Sequence, residues 1–275
     1  MSKSIIAGVV TYNPEIPLLQ KNLSALLGLV DQVVVVDNGS DNLDDINKTV
    51  ESIGSVTLIK NHSNLGIARA LNEIMEQAIE YGYSWVLTMD QDSVAPTNLI
   101  SEYEKYLDSS VGILCPIIFD RNKNQKPMIY SGTHEIRECI TSGSLVNASA
   151  WRKVNGFDEK LFIDGVDFDF CERLRKAGYH ILEVGTVVLS HAIGNITMRK
   201  FLLWDVSVKN HSSFRKYYIA RNTIYLAKKN GNAVRQAKSY LQVTKQIAEV
   251  ILYEQDKKRK ITAICKGMID GIKGF

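Results

Sequence analysis

The feature that most constrains the fold of this chain is the alternation of apolar runs with helical patterns through about its first 115 residues. Strands that alternate with helices form βαβ units, which build a Rossmann-like α/β fold: a mostly parallel sheet flanked by helices. Ile5–Val10 and Val33–Val36 are apolar on both faces, as the central strands of such a sheet must be. The predicted strands are Ile5–Thr11, Gln32–Asp37, Val56–Lys60, Ser84–Met89, Gly112–Ile118 and Ser142–Val146.

Helical patterns fill the intervals between these strands and most of the C-terminal region. Asp41 is placed to cap the second helix, and Pro96 suits the first turn of the fourth. The predicted helices are Ile16–Leu29, Asp41–Ile53, Ile67–Tyr81, one after Pro96, Asp167–Ala177 and, from His211 onward, a helical region with a break at Asn230–Asn232. We therefore expect a catalytic α/β domain over residues 1–195 and a mainly helical C-terminal extension over residues 196–275.

Charge is divided unevenly along the chain. Residues 1–194 contain 16 Lys and Arg against 25 Asp and Glu, a net −9, whereas residues 195–275 contain 17 against 5, a net +12. Such a basic tail suits an anionic lipid surface, an acidic partner or a phosphorylated substrate. The run Lys257–Lys260 is expected to be an exposed face, and the adjoining apolar stretch Ile261–Ile264 leaves contact with a membrane surface open.

Several classes of protein are disfavoured by what the sequence lacks. Its four cysteines have neither CxxC pairing nor metal-ligand spacing, which indicates a reduced, cytoplasmic setting. No run of about 18 apolar residues is present to span a membrane, so any attachment at the inner face of the cell membrane is expected to be peripheral. No GxGxxG follows a predicted strand, which disfavours a nicotinamide-dependent enzyme. No motif supports nucleic-acid binding by the basic tail.

An acid pair stands where the fourth predicted strand ends. Asp90 and Asp92 are one residue apart after an apolar run, so on a strand they point to the same side. Open α/β sheets bind ligands at this end of their strands, and two adjacent carboxylates need a cation nearby. A divalent metal that carries a diphosphate would satisfy both carboxylates. The alternative is that Asp92 or Ser93 only caps the next helix.

Two further loops carry polar groups at predicted strand ends. Asp37 can accept hydrogen bonds from a base or a ribose, although Asp37-Asn38-Gly39 is also a common turn sequence, and Asn13 after the first strand is equally ambiguous. Gly66 opens the third helix, where backbone N–H groups and the helix dipole favour an anion, and Arg69 would add charge. The alternative is an ordinary helix start with a solvated arginine.

The segment Leu161–Phe170 places three acids among aromatic residues. A carboxylate shielded by aromatic groups can serve as a general base, although acids are also typical of a helix start. His191 follows an apolar run and can complete a metal site begun by Asp92, but a lone histidine is more often structural. Asp164, Arg199 and Arg221 are candidates for contact with an acceptor or a diphosphate, though most basic residues are solvated.

Together these motifs resemble those of a family 2 glycosyltransferase with the GT-A fold, over roughly residues 4–195. The motifs are, in order, Val9–Asn13, Val35–Ser40, Asn64-Leu65-Gly66 with Arg69, Asp90-Gln91-Asp92, Ser142-Gly143-Ser144, Gly156-Phe157-Asp158, residues 164–169 and His191. The details most similar to the bacterial rhamnosyltransferase branch are Asp90–Ser93, Phe162–Asp167 and Tyr217–Asn222. That branch uses dTDP-L-rhamnose to build O-antigen, capsule or other cell-wall polysaccharide.

The resemblance implies a role for each matching residue. Asp167 occupies the place of the catalytic aspartate, but Val166 stands where the family usually has glutamate, so Asp164 and Asp169 remain alternatives to Asp167 as the base. Asp92 would bind Mg²⁺ or Mn²⁺, and His191 would be a further metal or diphosphate contact. The residues that would bind the nucleotide-sugar donor are Thr11, Tyr12, Asn13, Asp37, Asn64, Gly66, Arg69, Asp90 and Gln91.

The implied reaction is a sugar transfer that inverts the anomeric centre. The base removes a proton from a hydroxyl of a saccharide or lipid-linked saccharide acceptor, and the metal offsets charge on the departing nucleoside diphosphate. A UDP-hexose or another nucleotide sugar is the main alternative donor. Two remote alternatives are a haloacid-dehalogenase-type phosphatase with Asp90 as nucleophile and a non-catalytic nucleotide-sugar binding protein. The sequence leaves the oligomeric state open.

Overall fold

The computed structural model describes residues 5–120, 127–191, 197–201, 204–208 and 210–275, and it describes side chains outside residues 191–209. The chain divides into two units. The larger unit runs through Phe162 and resumes at Val166, whereas the smaller contains Ile163–Gly165 and the C-terminal region. The predicted domain boundary at residue 195 falls outside the described residues. The membership of Ile163–Gly165 in the smaller unit was not predicted.

The larger unit is built on a mostly parallel sheet, which confirms the predicted α/β class. Its strands are β1 (Ile5–Thr11), β2 (Val33–Asp37), β3 (Val56–Lys60), β4 (Trp85–Asp90), β5 (Val111–Asp120), β6 (Thr133–Glu135), β7 (Ser144–Asn147) and β8 (His180–His191). In the described part of the chain, they lie in the order β3-β2-β1-β4-β7-β5-β8-β6. β6 and β7 are antiparallel to their neighbours, and the other strands run in one direction. β1 and β2 are almost wholly buried, as their apolar sequences predict.

Helices cover the sheet of the larger unit. They are α1 (Ile16–Leu27), α2 (Leu43–Ile53), α3 (Ile67–Glu80), α4 (Leu99–Tyr103), α5 (Ala148–Lys153) and α6 (Val166–Lys176). Two predicted helix starts are wrong. Asn42 rather than Asp41 lies at the N-cap position of α2, and Asp41 instead donates its N–H to Asn13 Oδ1 at 2.7 Å. Pro96 lies before α4 and not in its first turn.

The close packing of α3 on β1 fixes where α3 begins relative to the sheet edge. A Cβ added at Gly8 of β1 would lie 2.2 Å from Cγ2 of Ile74, so only glycine lets α3 approach this closely. Ile74 is fully buried together with Ala70 and Ala78, one turn away on either side. The N-terminus of α3 is therefore held near the carboxyl end of β1, beside the polar loops.

The smaller unit consists mainly of three described helices, α7 (Ser213–Asn230), α8 (Ala233–Tyr253) and α9 (Lys257–Lys273), with a hairpin of β9 (Thr197–Phe201) and β10 (Trp204–Val208). The break between α7 and α8 confirms the prediction at Asn230–Asn232, and the side chain of Asn232 caps α8. A Cβ at Gly267 would lie 2.2 Å from the carbonyl oxygen of Tyr217, so α9 packs tightly on α7. In the described residues, no helix is both long and apolar enough for a membrane span.

The basic run at the start of α9 is exposed at Lys257, Lys258 and Arg259, as predicted, but not at its last residue. Lys260 is buried, and its Nζ lies 2.6 Å from Oε2 of the buried Glu254, whose Oε1 lies 2.6 Å from Nζ of Lys216. Burial alone would raise the pKa of Glu254, but hydrogen bonds from the two lysines outweigh it and hold that pKa below its ordinary value. The neighbouring Ile264 is fully buried in the unit's core, so it offers no surface to a membrane.

Candidate functional site

The carboxyl ends of three neighbouring strands bring several predicted site residues to one edge of the sheet. β1 lies between β2 and β4, and its register pairs Thr11 with Asp37 and Val10 with Asp90. In an open α/β sheet this edge is where ligands bind. The strand ends therefore place Thr11, Asp37 and Asp90 at one edge, with Asp37 and Asp90 at the strand ends that the sequence predicted.

Asp37 is a fully buried carboxylate that organises the loop after β2. Its Oδ1 accepts hydrogen bonds from the hydroxyls of Thr11 (3.0 Å) and Ser40 (2.5 Å). Its Oδ2 accepts from the backbone N–H groups of Gly39 (3.2 Å) and Ser40 (3.0 Å). Because both oxygens already bind groups of the protein, Asp37 holds the shape of the loop, and its contact with a pyrimidine stays a prediction.

The loop after β1 is held to both neighbouring strand ends. Asn13 has a positive φ of 46° and donates its N–H to Ser40 Oγ at 2.8 Å. The side-chain amide of Gln91 bridges the backbone of Tyr12, accepting from its N–H at 2.8 Å and donating to its carbonyl at 3.3 Å. The phenol of Tyr12 is 49% exposed, so its ring stands at the rim of this edge and is accessible to a ligand.

Asn38 connects the loop after β2 to the start of α3, a role that the sequence analysis missed. The side chain is buried and donates from Nδ2 to Asn64 Oδ1 at 3.0 Å and to the carbonyl of Gly66 at 3.1 Å. Its Oδ1 accepts the N–H of Leu65 at 3.0 Å. The sequence contained one indication of this role: Asn38 directly follows Asp37, which ends a predicted strand.

Gly66 allows the start of α3 to approach the segment that leads to α6. Its φ is +90°, and an added Cβ would lie 2.7 Å from the carbonyl oxygen of Phe162. That same carbonyl accepts the N–H of Ile67 at 2.8 Å. The first N–H of α3 therefore binds the protein's own backbone, and Asn64 Oδ1 accepts the N–H of Gly66 at 3.0 Å. The predicted contact of Asn64 and Gly66 with the donor stays a prediction.

Arg69 is paired with two carboxylates. Its Nε donates to Glu73 Oε1 at 2.9 Å, and one terminal nitrogen donates to Glu159 Oε1 at 3.2 Å. The hydrogen bond with Glu73, and then that with Glu159, raises the pKa of Arg69 above its ordinary value. The side chain is 39% exposed, so it can still meet a ligand, and its predicted place near a diphosphate stays a prediction.

Asn72, which the sequence analysis did not single out, ties α3 to the segment before α6. It is 5% exposed, and its Oδ1 accepts the N–H of Phe157 at 2.8 Å and the indole N–H of Trp151 at 3.2 Å. Its Nδ2 donates to the carbonyl of Phe157 at 3.0 Å and to Glu159 Oε1 at 2.9 Å. One buried amide thus fixes a segment more than eighty residues away along the chain.

The acid pair is not arranged as strand periodicity predicted. β4 ends at Asp90, and the next residues form a turn in which the N–H of Ser93 donates to the carbonyl of Asp90 at 3.2 Å. Asp92 therefore lies beyond the strand, and the rule that alternate side chains share a face does not extend to it. Asp92 is exposed and Asp90 is partly buried. Since α4 starts only at Leu99, neither Asp92 nor Ser93 caps it, and the capping alternative is wrong.

Asn22 of α1 stabilises this turn, again without a sequence prediction. Its buried Nδ2 donates to the carbonyl of Asp90 at 2.7 Å and to that of Ser93 at 2.5 Å. These two hydrogen bonds hold the backbone of the turn, and Asp92 is exposed to solvent. Carboxylate oxygens are ligands that Mg²⁺ and Mn²⁺ prefer, and the exposed carboxylate of Asp92 is available for one, with remaining positions for water and phosphate oxygens.

The other predicted metal ligand falls on a side chain that the structure does not describe. His191 is the last residue of β8 and pairs in register with Asp120 of β5, but its imidazole lies outside the described side chains. Among the described residues, no group of three or more His, Cys, Asp or Glu side chains is arranged to hold a metal ion. The side chain of Arg199, in β9, likewise lies outside the described part.

The structure separates the acids near α6 by their surroundings. Asp169 is 1% exposed, and Arg173 Nε lies 2.7 Å from its Oδ2. Arg173 also donates to the carbonyls of Val154 (2.6 Å) and Gly156 (2.7 Å), so this ion pair is part of the packing. Asp167 lies in the first turn of α6 and is partly buried.

Asp164 belongs to the smaller unit and is bound there by Arg215. The guanidinium donates from its terminal nitrogen to Oδ1 at 2.8 Å and from Nε to Oδ2 at 3.1 Å. The hydrogen bond with Asp164 raises the pKa of Arg215 above its ordinary value. In the same unit Asn222 Nδ2 donates to the carbonyls of Ile163 and Asp164, each at 2.7 Å. The segment is therefore held by α7.

Arg221, predicted to contact an acceptor or a diphosphate, is 8% exposed within the smaller unit. Its guanidinium lies 4.2 Å from the ring centre of Phe275 and 4.6 Å from that of Tyr218, and its Nε donates to Asn222 Oδ1 at 2.9 Å. Cation–π packing of this kind gives the charge a structural role. Contact with a substrate stays a prediction.

Comparison with known proteins links this polar sheet edge to a family. The sequence profile described as Glycosyl transferase family 2 matches residues 6–174, which covers most of the larger unit. A curated protein, dTDP-rhamnosyl transferase RfbF of Shigella flexneri, is 29% identical over 300 aligned positions, which include all of this chain and 97% of RfbF.

Solved structures show the same fold at low sequence identity. S. aureus TarS 1-349 matches with a TM-score of 0.63 at 13% identity, over 98% of this chain and 81% of that one. GalNAc-T7, solved with UDP, GalNAc and Mn²⁺, matches with a TM-score of 0.59 at 13% identity, over 98% of this chain and 56% of its own. TarS 1-349 was also solved with UDP-GlcNAc, and that structure matches with a TM-score of 0.62.

Proposed function

Because the chain belongs to glycosyl transferase family 2, we propose that it is an inverting glycosyltransferase that moves L-rhamnose from dTDP-L-rhamnose to an acceptor. The acceptor is a saccharide or a lipid-linked saccharide, and the product is a bacterial surface polysaccharide. The observation that carries the choice of donor is the similarity to dTDP-rhamnosyl transferase RfbF over the whole chain. A UDP-hexose is the second candidate, because the structural neighbours include proteins solved with UDP sugars.

The donor is proposed to lie across the carboxyl ends of β1, β2 and β4. The exposed ring of Tyr12 offers a face for the base, and the loop held by Asp37 borders the same edge. Asp90, at the end of β4, is next to this loop through the register of β1 and is assigned to the sugar or ribose. Arg69 and the start of α3 are assigned to the nucleotide or its diphosphate.

Asp167 is proposed as the base, and the surroundings of its two rivals support this choice. Asp169 is buried in an ion pair with Arg173, and Asp164 is bound by two nitrogens of Arg215. A base must reach the hydroxyl that it deprotonates, and Asp167, in the first turn of α6, is only partly buried, whereas Asp169 is 1% exposed. It accepts the proton as the acceptor oxygen attacks the anomeric carbon and the bond to the diphosphate breaks.

Asp92 is proposed to hold a divalent cation, with His191 as a further metal or diphosphate contact. The exposed carboxylate on the turn after β4 fits Mg²⁺ or Mn²⁺, and the cation, when bound, supplies positive charge for the departing diphosphate. Asn22 contributes by fixing the turn that carries Asp92, through its two hydrogen bonds to carbonyls. We also propose that the basic tail attaches the protein to the inner face of the cell membrane.

The donor can be tested by thermal shift with dTDP-L-rhamnose, dTDP, UDP-glucose and UDP-GlcNAc, each with and without Mn²⁺. We expect dTDP-L-rhamnose with Mn²⁺ to raise the melting temperature most, because a ligand that binds only the folded state stabilises it by mass action. In the Asp92→Asn variant the contribution of Mn²⁺ should be lost. Stabilisation by UDP sugars and not by dTDP-L-rhamnose would favour the second donor, and no response to any nucleotide would count against both.

A further inference from the structure

The outward side of α8 exposes large apolar side chains among its polar ones. Ser239, Val243 and Val250 are buried and mark the side of α8 that packs within the smaller unit. The opposite side carries Val234 and Leu241, which are 61% and 70% exposed. A helix at the surface of a globular protein normally places charged and polar residues opposite its packed face.

The exposed apolar residues lie along one line of the helix, here called the stripe. Val234, Leu241 and Leu252 are separated by 7 and 11 residues, which are about two and three turns, so they share one face of the helix. Leu252 is 56% exposed. At about 1.5 Å per residue the stripe is about 27 Å long. Its length and straightness suit a flat apolar environment rather than a single side-chain pocket.

Basic residues border the stripe. Lys238 and Lys245 are exposed, and each follows a stripe residue by four positions on the same side of α8. Lys257, Lys258 and Arg259 are also exposed at the start of α9. Long basic side chains can lie along apolar surface while their charged ends reach polar headgroups, which is the arrangement of helices that lie in a membrane interface.

The positive charge of this region favours an anionic surface as the partner of the stripe. Residues 195–275 carry a net +12, so a second copy would bring the same charge to the contact, whereas an anionic bilayer brings the opposite charge. We propose that α8 lies on an anionic lipid bilayer with Val234, Leu241 and Leu252 in the interface. This proposal rests on the membrane attachment proposed above and names α8 as the element that makes the contact. The apolar stretch Ile261–Ile264 is not assigned that role, because Ile264 is buried.

The test is binding of the full chain to vesicles of phosphatidylcholine with and without phosphatidylglycerol, measured by co-sedimentation. Neither donor nor acceptor is present, so the result is independent of whether the protein transfers a sugar. We expect binding only with phosphatidylglycerol, at least tenfold weaker binding for Leu241→Gln/Leu252→Gln, and about 25-fold weaker binding for Lys238→Gln/Lys245→Gln, at about fivefold per basic residue. Circular dichroism checks that each variant is folded.

Matched controls carry the same substitutions in the larger unit. Leu18→Gln/Met128→Gln changes two other exposed apolar residues, and Lys21→Gln/Lys48→Gln removes two other exposed lysines. Both controls should bind as the wild type does.

Three results would overturn the proposal. Absence of binding to phosphatidylglycerol vesicles is the first. Loss of binding in the lysine variant but not in the leucine variant is the second, since the stripe would then not enter the interface. The third is a dimer in analytical ultracentrifugation that only the leucine variant dissociates, which would assign the stripe to a second copy.

Discussion

Replacement of Asn72 by leucine tests the claim that one buried amide fixes the segment before α6. Leucine is similar in size but neither donates nor accepts hydrogen bonds, so the N–H and carbonyl of Phe157 and the indole N–H of Trp151 lose their partner. Glu159, whose side chain is 45% exposed, can bind water instead. The variant therefore isolates the cost of unpaired groups inside the protein.

The expected magnitude follows from the number of groups left unpaired. A buried polar group without a partner costs about 1–3 kcal/mol, and the three groups relax together, so we expect a loss of about 3–5 kcal/mol in the free energy of unfolding. With a denaturant dependence of about 3 kcal/mol per molar urea, the midpoint should fall by about 1–1.7 M. Tryptophan fluorescence follows mainly the larger unit, because two of the three tryptophans, Trp85 and Trp151, lie in it.

Asn98→Leu is the matched control for this experiment. Asn98 is exposed, and its Nδ2 donates to the carbonyl of Thr186 at 3.0 Å, so water can replace the lost hydrogen bond. We expect it to lower the free energy of unfolding by less than about 1 kcal/mol. If Asn72→Leu lowers the midpoint no more than Asn98→Leu does, the network around Asn72 does not hold the segment and our reasoning is wrong.

Three further predictions follow from single contacts. Gly66→Ala should lower the free energy of unfolding in urea by about 1–3 kcal/mol, because alanine must hold a φ of +90° and its Cβ meets the backbone of Phe162. An unchanged midpoint would contradict the close packing of Gly66 on Phe162. Thr11→Val keeps the shape of the side chain but removes the hydroxyl that donates to Asp37, and should lower the free energy of unfolding by about 1.5–3 kcal/mol. A smaller loss would argue against the role of Asp37 in holding the loop after β2. Glu254 has a lowered pKa, so its stabilisation is full above the ordinary value of 4.5 and is lost as the pH falls through the lowered value. Glu254→Gln should lower the melting temperature at neutral pH and flatten this acid dependence, and an unchanged profile would contradict the ion-pair assignment.

The fold could be predicted from the sequence where the signal is local. Apolar runs on both faces identified β1 and β2 because central parallel strands are buried on both sides. The position of β7 between β4 and β5 could not be predicted, since it depends on pairing between residues far apart in the chain. The three-residue strand β6 is too short to carry a periodic pattern.

The site, like the fold, has features that the sequence could predict and features that it could not. The placement of Asp37 and Asp90 at one sheet edge follows from strand ends and parallel topology, so the sequence was sufficient. The expected shared face of Asp90 and Asp92 was wrong because a turn begins directly after Asp90. The hydrogen bonds of Asn72 and the pairing of Arg69 with Glu159 join residues 79 to 90 positions apart, and no local pattern encodes them.

The role of Asp167 in an inverting rhamnosyl transfer is the central claim, and one substitution tests it most directly. The assay follows transfer of radiolabelled rhamnose from dTDP-L-rhamnose to membranes of cells that lack this protein, with wild type, Asp167→Asn and Asp169→Asn compared. Donor binding is measured in parallel by calorimetry. We predict that Asp167→Asn reduces turnover by about 10²–10⁴-fold while the Kd for dTDP-L-rhamnose changes by less than about twofold. Wild-type turnover in Asp167→Asn would contradict the assignment of the base.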